Sequence, residues 1–262
     1  MTTGSAVTTG TAVTAASIPE RLIRASRRLA REAGGLRFGS PVGYVYNPLL
    51  YARQPHEAYI TRFASTRKRV VFLGMNPGPW GMAQTGVPFG AIPMVRDWLG
   101  IHGPVKAPGG GHPRVAVKGF DCPRREVSGM RLWGFLRDEF RSPEVMAREM
   151  FVSNYCPLMF LDEDGRNLTP DRIGRLDQPR LFQACDRFLR EVLDALHPQW
   201  LVGVGLFAEG RARAVVEGAG LPVKVTSVPH PSPANPRSQK DWPGQAASAL
   251  VRAGVWRAGR IT

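Results

Sequence analysis

Arg69-Val70-Val71-Phe72-Leu73-Gly74 passes without a break into Met75-Asn76-Pro77-Gly78-Pro79, and the architecture turns on this junction. The first part is short, β-branched and aromatic, and ends in glycine between turn-forming neighbours, the pattern of a buried strand. The second part is neither helix nor central strand. Its prolines remove backbone donors and fix the chain, while its glycines let backbone approach a ligand closely. The loop continues through Trp80-Gly81-Met82-Ala83-Gln84-Thr85-Gly86-Val87-Pro88-Phe89-Gly90. It holds Asn76 at a strand end, where an amide can orient a water or read the edge of a base; the alternative is a tight turn in which Asn76 satisfies local backbone. The loop is neither a Walker A nor a GxGxxG fingerprint, so it gives no support to a nucleotide cofactor.

Outward from this junction, residues 151–155, 200–204 and 223–228 read as further short strands, and residues 178–196 and 207–217 carry helical apolar spacing. Strands alternating with helices predict an α/β fold: one domain of three layers, α/β/α, around a central, mainly parallel sheet. Ligands of such sheets bind beyond the carboxyl ends of the strands. Residues 18–33 read as a helix, with Ser17 as N-cap and Gly34-Gly35 as its stop. Ahead of it, residues 1–17 are rich in Thr, Ala and Gly and read as a disordered tail, with neither the basic start nor the compact apolar run of a leader peptide. Residues 102–128 show no period. Gly109-Gly110-Gly111 with Lys106, Arg114, Lys118, Arg124 and Arg125 make them a long basic loop, either functional or disordered.

Two more strand ends carry polar residues stiffened by proline. Val228-Pro229-His230-Pro231-Ser232-Pro233-Ala234-Asn235-Pro236-Arg237-Ser238-Gln239-Lys240 keeps His230 in an extended loop and follows it with basic and amide side chains suited to phosphate. A structural histidine is the competing reading. Asn154-Tyr155-Cys156-Pro157 places a second amide after a strand. That amide offers the donor and acceptor that could pair with a uracil ring, or it merely caps a turn.

Bulk composition narrows the partners. Lys and Arg number 35 against 21 Asp and Glu, a formal charge of +14 with a pI near 10.7. Such a field favours a polyanion, whether nucleic acid or an anionic membrane surface, although a compositional bias toward Arg gives the same sum. The three cysteines form no CxxC pair and are too few for a four-cysteine cluster, so reduced thiols and no metal site are expected. No apolar run is long enough to cross a membrane.

Taken together, these motifs resemble one family, the single-strand-selective monofunctional uracil-DNA glycosylases, the SMUG branch of the uracil-DNA glycosylase superfamily. The resemblance is carried by residues 74–90, by Glu126-Val127-Ser128-Gly129 with Trp133-Gly134-Phe135, and by Asn154-Tyr155-Cys156-Pro157-Leu158. It continues through Gly165-Arg166-Asn167-Leu168-Thr169-Pro170 and Val202-Gly203-Val204-Gly205 to His230-Pro231-Ser232-Pro233 and Asn235-Pro236, covering roughly residues 38 to 255. It implies a catalytic domain over residues 18–262. There Asn76 would position the attacking water and His230 would stabilise charge on departing uracil. Phe89 would stack on the base, Asn154 would bond its polar edge, and backbone at Met75 and Gly78 would line the pocket, Gly78 leaving room for a water or a substituent at C5. Pro231, Ser232, Pro233, Ala234, Asn235, Arg237 and Lys240 would form the wedge that holds DNA.

Two departures stand out: Ala234 where the family often carries a basic residue, which implies either a weaker flipping device or substitution by Arg237 and Lys240, and Trp80 in place of Phe. No lysine lies in the catalytic motifs, so hydrolysis without strand cleavage is expected. The expected protein is a cofactor-free monomer acting on single- and double-stranded DNA bearing uracil or related lesions, with no membrane partner. It would work in the nucleoid of a bacterium or the nucleus of a eukaryote. The competing readings are a same-fold glycosylase for another deaminated base and a non-catalytic single-strand DNA-binding protein.

Overall fold

A computed structural model of the chain describes residues 16–235 and 238–257. The expected tail lies mostly outside them. Ser17 belongs to the cap of helix α1 (Ile18–Gly34): it exchanges bonds with Glu20 in a capping box, with proline in the first turn. The apolar stripe of α1, including Leu22, Leu29 and Ala33, is buried. Strand β1 (Tyr44–Tyr46), the single turn α2 (Pro48–Tyr51) and helix α3 (Arg53–Phe63) lead to β2 (Val70–Gly74), which is buried along its whole length.

After β2 come α4 (Met82–Thr85), a π-helical turn at Met94–Trp98 and a 3-10 turn at Gly119–Asp121. Helices α5 (Val127–Phe140) and α6 (Pro143–Glu149) precede β3 (Met150–Asn154). The unpatterned segment therefore stops at Glu126, because that carboxylate caps α5 and draws Val127 and Ser128 into the helix. Next are β4 (Met159–Leu161), β5 (Asn167–Leu168), α7 (Gln178–Leu196), β6 (Trp200–Val204), α8 (Leu206–Gly218), β7 (Lys224–Val228) and α9 (Ser238–Arg252), the last broken at Asp241.

The central sheet has order β3-β2-β6-β7 and every pairing in it is parallel, with Phe72 opposite Val152 on one side and Val202 on the other. Parallel crossovers are right-handed, so the reversal of direction after β3 sends α5 and α6 to one face and α7 and α8 to the other. This is the expected three-layer α/β fold. Val70, Val71, Phe72 and Leu73 are wholly inaccessible, each contributing about 1.5–3 kcal/mol of burial. At the β3 edge, the Tyr59 hydroxyl donates to Val152 O at 2.9 Å and accepts from Val152 N at 3.2 Å, using ladder groups that would otherwise stay open.

A second sheet escaped the sequence reading. Strands β1, β4 and β5 pair antiparallel beside the main sheet. With two or three residues each, they are too short to show a period.

Candidate active site

All four parallel strands point their carboxyl ends at the same edge. The loops that leave β2, β3 and β7 there enclose a cavity of about 430 Å³. Its wall includes Met75, Asn76, Gly78, Phe89, Asn154 and His230, the six residues assigned to catalysis and base binding, together with Ser232 and Ala234 of the expected wedge.

Asn76 is fixed by its own loop and by the β3 loop. Its Nδ2 donates to Leu158 O at 3.1 Å and more weakly to Pro77 O at 3.4 Å, leaving Oδ1 as an acceptor for a water. The junction is closed by sheet-like bonds beyond the strands, Tyr155 N to Gly74 O at 2.9 Å and Cys156 N to Met75 O at 2.8 Å. Gly74 has a steric reason to be glycine: a Cβ there would overlap Asn154 Oδ1 and stand 2.5 Å from the Phe89 ring. At Gly78, by contrast, a Cβ would meet nothing within 4 Å.

Asn154 is 7% exposed and only half satisfied. Its Nδ2 rests on Met82 Sδ at 3.3 Å, while Oδ1 is buried without a partner. An unpaired buried acceptor costs about 1–3 kcal/mol, and because Asn154 lies in the cavity wall a ligand N–H entering the cavity could satisfy it. Phe89 stands beside it with φ of 53°, a left-handed conformation for a residue with a side chain. Its ring lies 6.3 Å from the His230 ring, centroid to centroid.

His230 is held in one tautomer. The backbone N–H of Ser232 donates to Nδ1 at 3.1 Å, so a neutral ring carries its proton on Nε2. Burial pushes the pKa of His230 below the usual histidine value of 6.5, which favours that neutral form. The loop is braced on several sides. Arg131 Nη1 donates to Pro231 O at 2.7 Å, Trp242 Nε1 to Pro229 O at 2.7 Å, and Asn235 Nδ2 to His230 O at 3.0 Å. Gly205, at φ of 92°, packs against the histidine: a Cβ there would come within 3.1 Å of His230 Cβ.

The wedge residues divide. Ser232 and Ala234 face the cavity and Pro233 is exposed, whereas Pro231 is buried and Asn235 braces His230 from within. Lys240 is exposed on α9, and Arg237 lies outside the described residues. Sequence reasoning gave no role to Glu126, Ser128, Asn167 or Thr169, which also line the cavity. Burial raises the Glu126 carboxyl above its ordinary range, against the lowering effect of bonds from Gly129 and Ser128. A carboxylate followed by small residues ahead of an apolar helix was the available signal, and it reads first as an N-cap.

Residues 61–251 match the family model of the uracil DNA glycosylase superfamily. A single-strand selective monofunctional uracil DNA glycosylase from Mus musculus is 45% identical over 91% of this chain and 86% of its own length. Its counterpart from Rattus norvegicus is 46% identical over 92% of this chain and 87% of its own. Among solved structures, wild-type SMUG2 of Pedobacter heparinus superimposes with a TM-score of 0.67 over 92% of this chain and 99% of that one, at 17% identity, a likeness of fold. The chain belongs to the uracil DNA glycosylase superfamily and, within it, to the family of single-strand selective monofunctional uracil-DNA glycosylases.

Proposed function

We propose that the chain is a DNA-repair glycosylase that takes an extruded uracil into the cavity and hydrolyses its bond to the sugar, leaving an abasic site in an unbroken strand. The observation that carries this reading is the convergence of a neutral, tautomer-fixed His230, the free Oδ1 of Asn76 and the unpartnered Oδ1 of Asn154 on one cavity. A protein that only binds single strands has no need of that set.

Extrusion costs a few kcal/mol, least in a single strand, and stacking on Phe89 returns about 1–3 kcal/mol of it. The N3–H of uracil supplies the donor that Asn154 Oδ1 lacks; cytosine presents no N–H there. As the glycosidic bond stretches, charge gathers on the uracil carbonyl, and the Nε2–H of His230 can donate to it. A preorganised donor in a dry pocket is worth about 3–4 kcal/mol in a transition state. Asn76 is an amide and a poor base. Its Oδ1 holds a water for a sugar cation that accepts a weak nucleophile. Lysine is absent from the cavity wall among the described residues, in keeping with hydrolysis rather than a Schiff base.

The open space at Gly78 extends the reading to uracils with a small C5 substituent such as 5-hydroxymethyluracil. Duplex DNA is a second, slower substrate because pairing raises the cost of extrusion, and the place of action is the nucleoid or nucleus. The test is incubation of the purified protein in EDTA with labelled single-stranded DNA carrying one uracil. Strand breakage only after alkali is expected; DNA that stays intact after alkali contradicts the reading.

A further inference from the structure

The basic segment 102–126 is packed down. Gln84 is fully buried and donates to Pro79 O at 2.9 Å and Ala116 O at 3.1 Å, while accepting from Lys118 N at 2.8 Å. The Tyr46 hydroxyl donates to Val115 O at 2.9 Å and accepts from His112 N at 2.6 Å. The segment thus roofs a small apolar cluster around Tyr46 and Met159. What it turns outward is positive charge. Lys106, Arg114, Lys118, Arg124 and Arg125 are all exposed, against one acidic side chain, Asp121, between residues 102 and 125. Among the described residues none of these five enters a salt bridge, although many other arginines of the chain do.

One of the five is held in place. The Arg124 guanidinium lies over the Trp80 ring, 4.8 Å from its centroid. Trp80 is half-buried and sits between Pro79 and Gly81, both in the cavity wall; Arg124 is two residues ahead of Glu126, also in the wall. The pair therefore stands at the rim on the β2 side, while the His230 loop forms the β7 side, with β6 between the two strands. An indole face restrains a long side chain that would otherwise lose conformational freedom on meeting a ligand, and it leaves the guanidinium N–H fork free. The planar fork matches a phosphate.

We propose that Trp80 and Arg124 form a clamp for the backbone of single-stranded DNA, in which Arg124 binds a phosphate beside the extruded nucleotide on the β2 side of the cavity. The clamp rests on the glycosylase reading for its choice of strand and supplies what that reading lacks, a grip on the side away from the His230 loop. It also gives Trp80, a departure from the family pattern, a use.

The test measures binding of a fluorescent, uracil-free single-stranded oligonucleotide across a salt series, with uracil release from a matched uracil-bearing strand followed in parallel. Arg124→Ala should weaken binding about tenfold at low salt and reduce the slope of log affinity against log salt by about 0.7, the share of one phosphate contact on a single strand. Arg124→Lys should keep the slope while losing part of the affinity, and Trp80→Ala should weaken binding roughly 2- to 30-fold. Unchanged slope and affinity in Arg124→Ala overturn the clamp even if the parent releases uracil, and because Arg124 is exposed this variant does not depend on the folding of Trp80→Ala. A parent that binds DNA and releases no uracil refutes the glycosylase reading, with the clamp still judged by the slope.

Discussion

A histidine whose Nδ1 already receives a backbone N–H has one nitrogen left for a ligand, and in His230 that nitrogen carries the proton. Protonation would put hydrogen on both nitrogens and set Nδ1–H against Ser232 N–H, so the form that suits the role proposed for His230 is the neutral one. Because burial lowers the folded pKa, this form persists below the usual 6.5, and the acid limb of the single-turnover rate should have its midpoint under that value. The same sign governs stability: the unfolded chain takes up this proton first, so His230 destabilises the fold as pH falls below about 6.5. A rate profile whose acid limb lies above 6.5 would contradict the assignment. Asn76→Ala removes the acceptor proposed for the attacking water and should cut the single-turnover rate by several powers of ten; an unchanged rate would remove Asn76 from the mechanism. Gly74→Ala should also abolish uracil release, because its Cβ claims the space of Asn154 Oδ1 and Phe89. The check is activity beside a thermal melt that still shows a cooperative transition.

At the scale of elements, the site depends on braces that come from distant helices. Arg131 on α5 and Trp242 on α9 hold the carbonyls on either side of His230. Arg131→Met keeps the stem but loses the bond to Pro231 O. It should lower the release rate with a stability loss of about 1–3 kcal/mol, read by single-turnover kinetics and denaturant melts. These braces were not legible in the sequence, since Arg131 and His230 lie 99 positions apart and no local pattern couples them. The parallel strands were legible: β6 falls on residues 200–204 as read, and β2, β3 and β7 within a residue at each end. Strands β2, β3 and β6 are buried almost throughout and written as compact apolar runs, whereas β7, at the sheet edge and only partly buried, shows instead as the β-branched positions Val223, Val225, Thr226 and Val228. The antiparallel sheet was not, since its short strands are specified by partners such as Tyr44 and Leu161 rather than by their own period. Asn76 and His230 could be singled out because proline flanks both. Glu126 could not, because its capping bond to Gly129 is an adequate reason for a carboxylate at that position.

At the scale of the whole molecule, the proposed function divides the work: the +14 charge draws DNA in and the cavity is the place proposed for the chemistry. Binding of single strands should weaken by one or more powers of ten between about 50 and 200 mM salt, while the rate at saturating DNA changes far less. The distinction between holding DNA and breaking a bond in it separates a glycosylase from a binding protein, and one substitution probes it. Single-turnover release of uracil by His230→Leu, measured beside its affinity for the same single strand, is the most direct test. The geometry predicts a rate lower by about two to three powers of ten, the worth of one transition-state donor, with affinity nearly that of the parent. Equal loss of both, or a rate that survives, would contradict the role of His230 as the donor that receives the departing uracil.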